Sequence, residues 1–217
     1  MKKYVLYLFY AATLILLIIG LITSNHDTIY FSSAGLILYA IVFAIEKIFK
    51  KLNISFILNF FIHFFIFVAA VIGEVFDLYK IIPCYDNILH ALFGLITSYA
   101  LYLLLKKHVQ NKGILLLLIL TTTVSIGVAW EFFEYGVDHI LKNDMQKYTL
   151  ITELRHHHFD SEVNNIKYTV IYDEKGEHKI EGGYYDTGIM DTMEDMAFNI
   201  LGSVILVLVL AKKKTNK

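Results

Sequence analysis

The chain has 217 residues, of which 57% are hydrophobic and only 18% charged, with one proline (Pro83) and a formal net charge of −1. That balance excludes an ordinary soluble domain, a disordered chain and a basic nucleic-acid binder, and leaves a polytopic membrane protein. The lone cysteine, Cys84, excludes an internal disulfide and a thiolate metal cluster.

Taken in chain order, apolar runs long enough to cross ~30 Å of hydrocarbon fall at Tyr4–Ile22, Ile29–Phe49, Ile54–Gly73, Ile88–Leu105, Ile114–Tyr135 and Met193–Ala211. They predict an all-α polytopic membrane protein with six transmembrane helices. The Lys2-Lys3 start resembles a signal peptide, but the apolar run is too long and no small-residue cleavage site follows at Thr23-Ser24-Asn25, so it is read as a retained anchor. Ser32, Ser33 and Gly35 interrupt the second run. Residues 1–141 hold the first five helices, 142–190 a polar outer loop, and 191–217 the sixth helix with a basic tail. In that loop, Asn165–Asp173 and His178–Glu181 flank Glu174-Lys-Gly-Glu177 and predict a β-hairpin with a glycine turn. His156-His157-His158, also in the loop, is read as a solvated run rather than a metal trap.

Charge orients the helices. Twelve lysines and a single acid, Glu46, occupy one set of helix ends (Lys2, Lys3, Lys47, Lys50, Lys51, Lys106, Lys107, Lys112, Lys212, Lys213, Lys214, Lys217), whereas the other side carries seven basic residues and nineteen acids. By the positive-inside rule both termini are cytoplasmic, and the basic face is read as contact with anionic lipid of the bilayer, not nucleic acid. Surplus acid on the outer face suggests binding of cations.

Depth and angle single out a set of polar residues. On the fifth helix Glu131 lies roughly 27 Å, and Glu134 roughly 32 Å, from Gly113 at the inner end. On the fourth, His90 lies about 6 Å below Asp86; on the sixth, Asp195 and Asn199 lie about 6 and 12 Å below Asp191. Three helices thus bring polar groups to one level near the outer interface. At ~100° per residue, Asp86, His90, Gly94 and Ser98 share a row, as do Thr123, Gly127, Glu131, Glu134 and Asp138; Asp191, Asp195, Asn199 and Gly202 span a narrow arc, and helix three adds His63, Ala70, Glu74 and Asp77. Small residues let helices approach and the polar ones cannot face lipid, so the stripes predict an outward-facing, water-accessible cavity lined by helices three to six.

Carboxylates gathered there repel, so either protons or a cation must neutralise them. An oxygen-rich set with one imidazole suits Mg²⁺, Mn²⁺, Fe²⁺ or Zn²⁺, with His90, Glu131, Glu134, Asp191 and Asp195 as candidate ligands and Asp86, Asp138 and Asn199 supporting them. Glu131-x-x-Glu134 lacks the Glu-x-x-His of di-iron bundles. The plainer alternative is an interhelical hydrogen-bond network with Asn199, Thr123 and Tyr135. With Arg155 the only arginine, a multi-arginine phosphate clamp is missing, and Ser98 and Ser125 are read as packing groups. Trp130, Phe132, Phe133 and Tyr135 are read as an interfacial aromatic belt, and Tyr184-Tyr185 likewise.

The ordered set Asp86-Asn-Ile-Leu-His90-Ala-Leu-Phe-Gly94, Trp130-Glu-Phe-Phe-Glu134, and Tyr184-Tyr-Asp-Thr-Gly-Ile-Met-Asp191-Thr-Met-Glu-Asp195-Met-Ala-Phe-Asn199-Ile-Leu-Gly202 resembles the YjdF-like bacterial inner-membrane proteins. It is more distantly similar to the VanZ-like family, with departures at Asn87, where lysine is common there, and at Glu134, where glutamine is usual. The resemblance covers about Pro83 to Leu206 and implies a bacterial plasma-membrane location, without naming a reaction. The functional expectation is a metal-dependent membrane enzyme acting on a lipid-linked or cell-envelope substrate, with His90, Glu131, Glu134 and Asp195 as ligands or acid/base groups. A cation or proton-coupled transporter and a noncatalytic membrane partner are the alternatives.

Overall fold

The computed structural model describes residues 4–48, 55–141, 145–147, 149–155, 163–186 and 188–212; the histidine run at 156–158 lies outside them. The helices are α1 (Tyr4–Thr23), α2 (His26–Ile48), α3 (Phe56–Ile66) continuing as a π-helix (Phe67–Gly73), a short α4 (Leu78–Ile81), α5 (Tyr85–Leu105), α6 (Lys112–Leu141) and α7 (Ile189–Lys212). Among the described residues, six helices are long and apolar enough to cross a membrane, counting α3 with its π continuation as one. Only 11% to 28% of the residues in each span are buried within the protein. Side chains such as Leu8, Ile22, Ile37, Leu117 and Phe132 are correspondingly exposed, an arrangement that lipid tolerates and water does not.

Local chemistry explains most boundaries. Ser55 caps α3 by accepting a hydrogen bond from Leu58 N at 3.2 Å. Asp77, at φ +51°, ends the third span, and Pro83 precedes α5, where its missing N–H costs nothing. The second run is one unbroken helix, because Ser32 and Gly35 are fully or largely buried packing positions and not breaks. A Cβ at Gly35 would collide with the Val71 side chain on the π-helix. The last helix starts at Ile189, four residues before the expected Met193, because Asp186 accepts from Gly188 N (2.9 Å) and Met190 N (3.0 Å) and so caps its first turn. At 30 residues, α6 is about 45 Å long and exceeds the hydrocarbon layer.

The polar segment before α7 holds three two-stranded antiparallel pairs: β1 (Leu150–Ile151) with β6 (Tyr184–Tyr185), β2 (Glu153–Arg155) with β3 (Val163–Asn165), and β4 (Tyr168–Asp173) with β5 (Gly176–Glu181). The expected hairpin is the third pair, turning through Glu174-Lys175. Asp173 Oδ1 accepts from Lys175 N at 2.7 Å, and Gly176, at φ +125°, supplies the backbone conformation that closes the turn.

The chain forms two compact units, residues 1–127 with 197–217, and residues 128–196. In the first, Leu115, Ile119 and Leu210 form a buried core with Leu101, Leu105 and Leu206 packed against it. In the second, residues 145–147 and 149 are tied by hydrogen bonds to the start of α7, the residues before it and the end of α6, as described below.

Candidate functional site

In the unit formed by residues 128–196, Glu131 and Glu134 stand one turn apart on α6 and Asp195 on the second turn of α7. All three side chains are buried, at 6%, 7% and 1% exposure. One carboxylate oxygen from each lies within 4.8 Å of the others. At that spacing, two negative charges repel by on the order of 3 kcal/mol at an effective dielectric of ~20. Three ionised carboxylates therefore cannot share the site without a neutralising proton or cation. These exposures leave the three carboxylates little contact with solvent.

Trp130 donates its indole N–H to Glu134 Oε1 at 2.7 Å. The i, i+4 spacing on one helix was the available signal. This bond fixes the rotamer of Glu134 and turns its carboxylate.

The other acids of this unit do different work. Asp138 accepts from Met145 N (2.7 Å) and Gln146 N (2.8 Å), fastening the chain as it leaves α6. Asp191, expected among the ligands, accepts from Lys147 N at 3.0 Å, with Lys147 Nζ at 4.0 Å. Gln146 Nε2 donates to Thr192 Oγ1 at 2.6 Å, and Thr149 N donates to Asp186 at 3.3 Å. Through these bonds Asp138, Asp186 and Asp191 hold the polar segment to the end of α6 and the start of α7. Asp186 went unnoticed in the sequence, although Asp186-Thr-Gly188 ahead of an apolar run is a helix-start signature.

In the first unit, His90 Nε2 lies 3.5 Å from Asp86 Oδ1, an i, i+4 pair with both side chains largely buried. Asn199 is 2% exposed and its amide makes no hydrogen bond among the described residues. Gly127 makes room for it, since a Cβ there would come within 2.9 Å of Asn199 Oδ1. A Cβ at Gly94 would run into the Asn199 carbonyl, and one at Gly202 into the Ala91 carbonyl, so these glycines let α5 and α7 touch backbone to backbone. Ser98 completes the row: its hydroxyl bonds Thr123 (2.9 Å) and Ser203 (2.7 Å), a buried three-hydroxyl chain joining α5, α6 and α7. Ser98 thus has hydroxyl partners on two other helices. Among the described residues Ser125 bonds its own helix, at Thr121 O (2.9 Å). On helix three the expected stripe breaks up. The π-helix shifts the register, Asp77 is exposed and pairs with Lys80 at 3.0 Å, and His63 is buried in a separate cluster.

Six apolar spans carrying buried charged and amide groups define a multi-pass membrane protein. A family model described as "Predicted membrane protein (DUF2238)" matches residues 4–216, and the chain belongs to that family. No curated protein and no solved structure matches the chain.

Proposed function

We propose that this protein binds a divalent cation through Glu131, Glu134 and Asp195, and that the bound cation serves a reaction on a lipid-linked or cell-envelope substrate at the outer side of a bacterial plasma membrane. The observation that carries this reading is the set of three buried carboxylates with oxygens within 4.8 Å of one another. Donor oxygens on one ion are separated by at most twice the metal–oxygen distance, about 4.2 Å for Mg²⁺ and ~4.6–5.2 Å for Ca²⁺. The cluster therefore fits one coordination sphere, with a small inward shift for the smaller ion. An all-oxygen set favours hard cations such as Mg²⁺, Mn²⁺ or Ca²⁺ over Zn²⁺. Bound there, the cation supplies Lewis acidity in a dry site. The chain's own contribution is to pre-place three oxygens, with Trp130 holding one of them. The ordered motifs that resemble YjdF-like and VanZ-like proteins support an envelope role.

Metal analysis of the purified protein is the test. At least one equivalent of a divalent ion in the wild type, lost in Glu131→Gln, is the expected result; a metal-free protein whose melting temperature no divalent ion raises would refute it. Sidedness is checked separately. With Cys84 replaced, a cysteine at Lys175 should react with an impermeant thiol reagent from outside and one at Lys107 should not.

A further inference from the structure

Far from the carboxylates in sequence, α1, α2 and α3 bury a second polar cluster. His63 is 2% exposed and Tyr39 fully buried, and their rings stack at 5.3 Å with an interplanar angle of 4°. Tyr10 lies 4.7 Å from Tyr39, ring to ring, and its hydroxyl is 2.8 Å from His63 Nε2. On the other side of the imidazole, Nδ1 is 2.9 Å from the Asn59 carbonyl.

These two bonds determine the tautomer. A carbonyl only accepts, so Nδ1 carries the proton, Nε2 is the acceptor, and Tyr10 O–H donates to it. The lone pairs of Tyr10 Oη are then left for a further donor. Tyr10 is half-buried and, with Tyr7, Leu36, Tyr39, Ala40 and Phe43, lines a cleft of about 420 Å³ at the surface of α1 and α2. Tyr10 therefore stands between the cleft and the enclosed imidazole.

Three neighbouring hydroxyls strengthen the case. Thr13, Ser32 and Tyr39 are each fully buried, and none closes a hydrogen bond among the described residues. Water is the ligand that buried hydroxyls without a protein partner hold. Tyr10 lies about 9 Å inside the start of α1. Glu46 is half-buried two residues before the end of α2, the end at which Tyr10 lies on α1. The site thus belongs to the lysine-bearing end of the helices.

We propose that Tyr10 and His63 form a proton-accepting site, entered from the tyrosine-lined cleft at the lysine-bearing end of α1 and α2. A proton arriving at Tyr10 Oη joins that oxygen as Tyr10 releases its own hydroxyl proton to His63 Nε2. The imidazole becomes doubly protonated, Tyr10 remains neutral with its O–H turned outward, and Glu46 supplies the compensating charge. The groups in contact with His63 are Tyr10 from α1, Tyr39 from α2 and Asn59 from its own helix, with Glu46 the charged residue near the same end of α2. Against α3, α5 places Phe93 on Phe65 and Tyr99 beside Ile57 and Phe61. The π-helix begins four residues after His63, and such irregular turns recur at functional sites. This site stands independently of the carboxylate cluster.

The test uses the full chain in lipid nanodiscs with ¹⁵N-labelled histidine, the His63 signals being those lost in His63→Gln. Expected are a neutral Nδ1–H tautomer at alkaline pH, double protonation as pH falls, and at least tenfold slower proton exchange with water in Tyr10→Phe. Glu46→Gln, which alters only the edge of the cluster, should lower the doubly protonated fraction at a given pH and tests the site even if Tyr10→Phe does not fold. A His63 that stays neutral from pH 9 to pH 5, or exchange and titration unchanged in both variants, would overturn the proposal.

Discussion

Two polar regions are buried among these helices, and they solve the problem of burial in opposite ways. A hydroxyl can both donate and accept, so Thr123 donates to Ser98 (2.9 Å) and Ser98 donates to Ser203 (2.7 Å) without any charge to neutralise. Glu131, Glu134 and Asp195 only accept when ionised, so bringing them within 4.8 Å sets them against each other. The comparison teaches that neutral hydroxyls can be buried by bonding to one another, whereas carboxylates brought together need a proton or a cation.

The strongest way to break the scaffold side is steric. Gly202→Ala places a methyl group on the Ala91 carbonyl, and α5 and α7 must then separate. The expected cost is about 3 kcal/mol or more, read as loss of folded protein in detergent, with the hydroxyl chain lost along with it. Recovery of wild-type stability would show that the backbone contact is dispensable.

Next in size is the response to cations. A divalent ion at 100 times its Kd should stabilise the wild type by about 2.7 kcal/mol, and Glu131→Gln combined with Asp195→Asn should abolish that gain while leaving the metal-free protein as stable as before, or more so. Calorimetry with and without the ion reads both effects. A double variant that is badly destabilised without metal would place these acids with the scaffold.

Asp138 sharpens the comparison, because by sequence it belongs to the same stripe as Glu131. Its two bonds to backbone N–H groups predict that Asp138→Ala loses ~1–3 kcal/mol and exposes the amides of Met145 and Gln146 to hydrogen exchange, with cation affinity unchanged. Reduced affinity at preserved stability would move Asp138 into the site. The smallest effect is expected at Ser203→Ala, which removes one hydroxyl from a chain whose other members can still bond each other: about 0.6 kcal/mol, with no change in cation response.

Class and span positions were legible in the sequence, because the bilayer imposes a length and a composition that any membrane helix must show. The six apolar runs match α1, α2, α3 with its π continuation, α5, α6 and α7 to within a few residues. The grouping of acids on helix faces was legible too, since periodicity places side chains around an axis. Periodicity says nothing of what stands opposite. Asp138 and Asp191 share stripes with Glu131 and Asp195, yet residues 145–147 offer them backbone N–H groups, and only the folded structure reveals it.

The aromatic cluster was less legible still. His63 was placed on a stripe with Glu74 and Asp77, and the π-helix at Phe67–Gly73 breaks that spacing. Its true neighbours, Tyr10 and Tyr39, lie on two other helices. Local rules such as span length, caps and the two-residue hairpin act over a few residues and can be read from them. The sorting of equivalent-looking polar groups into anchors, hydroxyl chain, carboxylate cluster and proton site depends on which helices pack together, and that is decided only in three dimensions.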